Sequence, residues 1–211
     1  VLTDLHAGQP LLTAGVAPAQ AAAGMVLVHG RGGDAPDMLN FAQDLGLRDI
    51  ACVAPQAANN TWYPQRFIAP LALNEPWLTS ALQAVERALA TLQAGGLPRE
   101  RLYLVGFSQG ACLVLEYAAR NAQRYAGVFG LSGGLIGPDT LARHDTGSLA
   151  GTPVFLGCNE EDPHIPKHRV EHAASTLTAL GAVVETRFYP GYGHGVHPDE
   201  IARIRAYVGE A

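Results

Sequence analysis

Leu102–Ala119, "LYLVGFSQGACLVLEYAA", is the stretch on which the reading of this chain turns. An apolar run enters Gly106-Phe107-Ser108-Gln109-Gly110, and a pattern with helical spacing leaves it at once. The apolar run has the length and composition of a buried strand, and the segment from Gln109 to Asn121 that of a helix. Ser108 therefore stands between two glycines at a strand-to-helix turn, either as a polar turn residue or as a nucleophile.

The same alternation extends in both directions. Upstream, "MVLVHG" (Met25–Gly30) reads as a buried strand and "APDMLNFAQDLGL" as a helix. Asp49–Pro55 is a second strand, and "EPWLTSALQAVERALATLQAG" a long helix with Pro76 in its first turn and Gly95-Gly96 at its end. Downstream come strands Gly127–Leu131 and Pro153–Leu156, helix Arg169–Leu180, strand Val183–Tyr189 and helix Pro198–Val208. Near-continuous apolar strands between helices predict an α/β fold: a mostly parallel sheet covered on both faces, in one domain over residues 1–211. "LLTAGV" near the N-terminus is expected to add an antiparallel edge strand, and nothing between Leu131 and Pro153 suggests a large separate lid.

One connection breaks the rhythm. "QAANNTWYPQRFIAPLALN" (Gln56–Asn74) is longer than the roughly 12–15 residues usual for a structureless loop in a compact domain. It carries Trp62, Tyr63, Phe67 and Leu71, too apolar for a solvated linker. These four are expected to fold over the top of the sheet and line a substrate pocket; the alternative is a loop that merely caps the core.

Bulk composition excludes several classes. Among 211 residues, 48% are hydrophobic and 16% charged, with a formal net charge of −5, which fits a globular chain with a sizeable core. No basic run is present, so nucleic acid is not an expected partner. No apolar run approaches the roughly 20 residues needed to span a bilayer, so stable membrane insertion is not expected either. Cys52, Cys112 and Cys158 are three, widely spaced, and form no zinc-ligand pattern, which suits a reduced, cytoplasmic setting. No basic segment followed by an apolar core stands at the start of the sequence, and no signal peptide is expected in it.

G-x-S-x-G between a strand and a helix is the nucleophile elbow of the α/β-hydrolase fold. The sharp turn pushes the serine hydroxyl out of the sheet, and Gly106 and Gly110 let strand and helix come close enough to make it. In this fold the acid follows the serine and the histidine follows the acid. "PVFLGCNEEDPHIP" ends a strand and offers Glu160, Glu161 and Asp162. Asp162 is preferred because Pro163 restricts its backbone to an extended geometry. "YPGYGHGVHPDE" places His194 between Gly193 and Gly195, after the last strand and before the last helix, where a general base can reach Ser108. His197, at the mouth of that helix, is the alternative. The oxyanion donors are expected to be backbone amides: that of Gln109 at the helix N-terminus, and that of Arg31 in the glycine cluster of "VHGRGG". A Rossmann loop is excluded there, because Ala35 stands where the third glycine belongs. His29 reads as a hydrogen-bonded structural residue. His168 and His172 have a spacing that suits a metal pair but lack an acidic third ligand, so no metal is expected.

"VLVHGRGG", "ERLYLVGFSQGACLVLEYA", "DPHIP" and "GHGVHPDEI" together resemble the phospholipase/carboxylesterase family of α/β-hydrolases, which includes acyl-protein thioesterases. The resemblance runs from about Met25 to the C-terminus. It implies Ser108 as nucleophile, Asp162 as acid, His194 as base and the amides of Arg31 and Gln109 as oxyanion hole. It also implies a small-molecule ester or thioester substrate, no cofactor, an intracellular location and a possible homodimer. The expected activity is that of a serine carboxylesterase on short- to medium-chain esters. A thioesterase or lysophospholipase with the same triad is the alternative, and a non-catalytic binding member of the fold the remote one. The chain departs from the family's usual pattern at Arg31, where a small apolar residue or leucine is common, and at Asn159, where glycine is. The Arg31 guanidinium is expected either to favour substrates bearing a carboxylate or to pair with Asp34 or Asp37.

Overall fold

A computed structural model describes residues 4–209. Seven strands form one sheet: β1 (Leu11–Gly15), β2 (Ala23–Val28), β3 (Ile50–Pro55), β4 (Leu102–Phe107), β5 (Gly127–Leu131), β6 (Pro153–Asn159) and β7 (Val183–Tyr189). Their order is β1-β3-β2-β4-β5-β6-β7. β1 runs antiparallel to β3 at the edge, and every other neighbour is parallel. Among the described residues five α-helices cover it: α1 (Ala35–Asp44), α2 (Trp77–Ala94), α3 (Gln109–Arg120), α4 (Lys167–Ala179) and α5 (Pro198–Gly209).

The strands carry apolar residues on both sides because both faces are covered. Val26 and Val28 of β2, with Leu102 and Leu104 of β4, pack into one core beneath α2, α3 and α4. The alternate residues Met25, Leu27, Tyr103 and Val105 pack into a second core with Met38 of α1 and Ile204 of α5. The period of two along each strand thus sorts side chains between two helix layers.

Boundaries differ from the sequence reading where local chemistry decides. α1 stops at Asp44 and not Leu47, because Gly46 takes a left-handed conformation (φ 64°) that ends the helix. Pro76 sits one position outside α2 and not in its first turn. β2 ends at Val28, freeing His29 and Gly30 from the ladder, whereas β6 runs on to Asn159 because β7 pairs with it to Tyr189. Residues 132–152 contain no helix and no strand, and no separate lid domain covers the sheet.

The long connection after β3 is a fixed structure. Trp62, Tyr63 and Phe67 are buried, and two buried histidines hold the backbone around them. The Ala57 amide donates to His29 Nε2 (3.1 Å), which leaves Nδ1 to donate to the Gly30 carbonyl (2.7 Å). Likewise the Ala58 amide donates to His6 Nδ1 (3.0 Å), and His6 Nε2 donates to the Trp62 carbonyl (3.0 Å). Each ring accepts an amide proton, so each must be neutral. Burial lowers both pKa values below the ordinary 6.5. A histidine depressed in the folded state costs stability as pH falls below its unfolded value, until the folded value is passed. Glu200, raised by burial to about 7, acts with the opposite sign over part of the same range. The expected result is therefore differential: the double variant His6→Asn/His29→Asn loses less denaturant stability than wild type between about pH 7.5 and about pH 5.5, roughly one unit either side of the ordinary histidine value. Parallel curves for the two proteins would remove these rings from the acid response.

Candidate active site

At the end of β4 the chain reverses through Ser108, whose backbone lies in the left-handed region (φ 54°, ψ −118°). A non-glycine residue held there is strained, and its neighbours must fix it. The Ser108 amide donates to the Leu131 carbonyl (2.9 Å), and the Ser108 carbonyl accepts from the Cys112 amide (3.0 Å). The flanking glycines make the turn possible. A Cβ on Gly106 would lie 2.3 Å from the Gly110 carbonyl oxygen, and one on Gly110 would lie 2.1 Å from the carbonyl oxygen of Val28. Gly106 thus lets the strand meet its own helix, and Gly110 lets that helix meet the end of β2.

His194, on the connection from β7 to α5, brings Nε2 to 2.8 Å from Ser108 Oγ and Nδ1 to 2.7 Å from Asp162 Oδ2. Asp162 follows β6, and its side chain is 0% exposed. Its second oxygen accepts the amides of His164 (2.8 Å) and Ile165 (2.9 Å). Burial alone would raise this carboxyl, but the bond from His194 and the two amides hold its pKa below the usual 3.8. The Cys158 thiol, kept protonated because burial pushes it up to about 12, reaches the same Oδ2 at 3.8 Å. The His194 ring packs against Phe107 and His164, with centroids 5.2 and 4.8 Å away.

The other candidates are placed elsewhere. His197 stacks on Tyr189 at 4.2 Å, and its Nδ1 accepts the Asp199 amide. Glu160 pairs with Lys167 at the surface, and Glu161 is exposed. His168 contacts Asp139, and among the described residues no group of three or more His, Cys, Asp or Glu could hold a metal ion.

Gly30 lies against the turn, where an added Cβ would be 3.3 Å from Ser108 Cβ. Arg31, the next residue, borders the same pocket as Ser108. The Gln109 amide belongs to the first turn of α3, where amides have no intrahelical acceptor. The Gln109 side chain has a role that the motif did not reveal. Buried at 6% exposure, its Oε1 accepts the Trp62 amide (2.9 Å) and its Nε2 donates to the Tyr63 carbonyl (2.8 Å). The elbow thereby grips the long loop. Gln109→Ala leaves the Trp62 amide buried and unpaired, at a cost of about 1–3 kcal/mol, and removes one of the two donors of the Tyr63 carbonyl, which keeps its bond from Arg31. A fall in unfolding free energy of about 2 kcal/mol or more is expected, measured by denaturant titration; an unchanged midpoint would contradict the grip.

A pocket of about 250 Å³ opens at Ser108 and His194, bounded by Tyr63, Phe67, Cys112 and Ile165 with Arg31, Arg66 and His164 at its sides. Of the four loop residues expected there, Tyr63 and Phe67 line it. Trp62 does not: it is fully buried in the core, its indole N–H donating to the His29 carbonyl (2.8 Å). Leu71 also packs on the core instead. Arg31 pairs with neither Asp34 nor Asp37. Its guanidinium donates to the carbonyls of Tyr63 (2.9 Å), Pro64 (3.1 Å) and Gln65 (2.8 Å), and the Asp34 carboxylate caps α1 by accepting the Asp37 amide. Arg66, His164 and Cys158 were not singled out from sequence. The only signal for Cys158 was its position four residues before the acid.

A parallel sheet whose strand ends converge on a serine in a strained turn, with a histidine and a buried carboxylate delivered by later strands, defines the α/β-hydrolase fold. Within it, the chain belongs to the phospholipase/carboxylesterase family, whose sequence profile matches residues 14–210. The crystal structure of a phospholipase/carboxylesterase from Dyadobacter fermentans is similar with a TM-score of 0.92 and 41% identity, over 95% of this chain and 96% of that one. Esterase PE8 is similar with a TM-score of 0.79 and 26% identity, over 96% and 98%. Acyl-protein thioesterase 1 of Gibberella zeae is 35% identical over 115 residues, 54% of this chain and 49% of that protein. The matched stretches thus span only about half the length of the first curated relatives. Among the described residues no helix is long and apolar enough to cross a membrane.

Proposed function

We propose that this protein is a serine carboxylesterase that hydrolyses short- to medium-chain carboxylic esters through an acyl-enzyme. The observation that carries the reading is the continuous chain Ser108 Oγ–His194–Asp162, at 2.8 and 2.7 Å. Ser108 Oγ attacks the ester carbonyl while His194 Nε2 takes its proton, and Asp162 holds the imidazole and balances its positive charge. The carbonyl oxygen becomes an oxyanion against the Arg31 and Gln109 amides, each contributing ~3 kcal/mol to lowering the barrier. Collapse expels the alcohol, which leaves with the proton from His194. A water then gives its proton to His194, attacks the acyl carbon, and releases the acid and free Ser108.

The pocket of about 250 Å³ supports short acyl groups over long ones. A thioester would use the same steps with a thiol leaving group, a reading favoured by the likeness to a thioesterase. The test is hydrolysis of a p-nitrophenyl acyl series from acetate to decanoate beside the matching thioesters, with covalent labelling by a fluorophosphonate. Labelling with turnover that peaks at short chains is expected. A protein that neither labels nor hydrolyses any member would be a binding member of the fold.

A further inference from the structure

The pocket's electrostatics narrow the substrate class, an inference that rests on the esterase reading above. Two guanidinium groups, Arg31 and Arg66, border the pocket, and no aspartate or glutamate does. This is unusual company for a chain with a net charge of −5. The nearby acids are committed elsewhere. Asp162 is fully shielded and engaged by His194, Glu160 faces Lys167, and Asp34 caps α1. Among the described residues neither arginine makes an ion pair, so both charges stand without a counter-charge beside Ser108.

The two arginines differ in what remains free. The Arg31 hydrogen bonds go to three carbonyls of the loop and fix the guanidinium in place. Arg66 makes one side-chain bond, from Nη2 to the His164 carbonyl at 3.3 Å, leaving Nε and Nη1 unused on an exposed side chain. Its backbone is nevertheless held. The buried Asn74 donates to the Arg66 carbonyl (3.3 Å) and accepts the Gln65 amide (2.8 Å), and Phe67 beside it is buried. A flexible donor fork on an anchored stem is the arrangement that reads a planar anion. Phe67 and Ile165 give the pocket that Ser108 and Arg66 share an apolar wall.

The geometry points to Arg66 as a specificity-determining residue for esters that carry a carboxylate beyond a short apolar spacer, the half-esters of small dicarboxylic acids. Arg31 adds fixed positive charge to the same mouth.

The experiment compares monoethyl glutarate with its uncharged isostere ethyl 5-methylhexanoate, each as a competitor of p-nitrophenyl butyrate turnover. For an exposed charge-assisted contact, about fivefold tighter competition by the charged ester is expected. The advantage shrinks with added salt, because the Debye length falls from about 10 Å at 0.1 M to about 3 Å at 1 M. In Arg66→Gln the ratio of the two competition constants falls to near unity, and Arg66→Lys retains part of it. Equal competition in wild type, or a charged-ester advantage that survives Arg66→Gln, overturns the assignment while leaving esterase activity in place. Absence of p-nitrophenyl butyrate turnover and of fluorophosphonate labelling overturns the esterase reading, and this proposal with it.

Discussion

Ser108→Ala is expected to lower kcat/KM for p-nitrophenyl butyrate by about 10⁴-fold or more and to abolish fluorophosphonate labelling. In the proposed mechanism the residual rate comes from groups that remain: the Arg31 and Gln109 amides as oxyanion donors, and His194 as a base that can still deprotonate a water. Losses at members of such a triad are strongly non-additive, so Asp162→Asn or His194→Ala combined with Ser108→Ala should cost little beyond the single change. Stability provides a control. Alanine keeps the Cβ and hence the left-handed strain at φ 54°, so the melting temperature should stay close to wild type. Ser108→Gly relieves that strain and should melt higher, by an amount consistent with about 1 kcal/mol. Retained labelling of Ser108→Ala would move the nucleophile to another residue.

Gly110→Ala is expected to destabilise the protein by about 4 kcal/mol or more, within the range that only a few mechanisms reach. The added methyl would fall 2.1 Å from the Val28 carbonyl oxygen and 2.5 Å from that of His29. Both obstacles are main chain at the end of a central strand, not the tip of a side chain that could swing aside. Relief requires α3 to move away from β2, and that movement carries Ser108 away from Gly30. Against a total stability of roughly 5–15 kcal/mol, soluble yield and melting temperature should both collapse. Gly8→Ala, with nothing within 4 Å of the added Cβ, should stay within about 0.5 kcal/mol of wild type. A Gly110→Ala protein that melts with the wild type would refute the close approach.

The alternation of apolar runs and helical patterns places the six parallel strands, because buried parallel strands have little polar face to confuse the pattern; the antiparallel edge at Leu11–Gly15 lies in an Ala/Gly-rich region with a weaker pattern. The elbow was equally legible, since its glycines sit beside the serine in the chain. What sequence spacing could not show were contacts between distant segments. The separation of Gln109 from Trp62 and Tyr63 hides their hydrogen bonds, and an amphiphilic glutamine beside a nucleophile looks like any helix N-terminal residue. Trp62 was expected in the pocket because it is large and apolar; its indole N–H needed an acceptor, and the His29 carbonyl drew it into the core. Arg31 was expected to seek a carboxylate, but three carbonyls of a tight loop lay closer.

The anchors of that loop have a consequence for how the protein could diversify. His6 and Gln109 grip the backbone of Trp62 and Tyr63, Arg31 the carbonyls of residues 63–65, and Asn74 the backbone of residues 65 and 66. Nearly every clamp closes on main-chain atoms, which all amino acids share. The exposed side chain at 66 can therefore be exchanged while the frame that presents it keeps its shape, whereas Tyr63 and Phe67 are also core residues. Selectivity and catalysis sit on the same wall but draw on separate parts of it, and a lineage could retune one by point substitution without rebuilding the other.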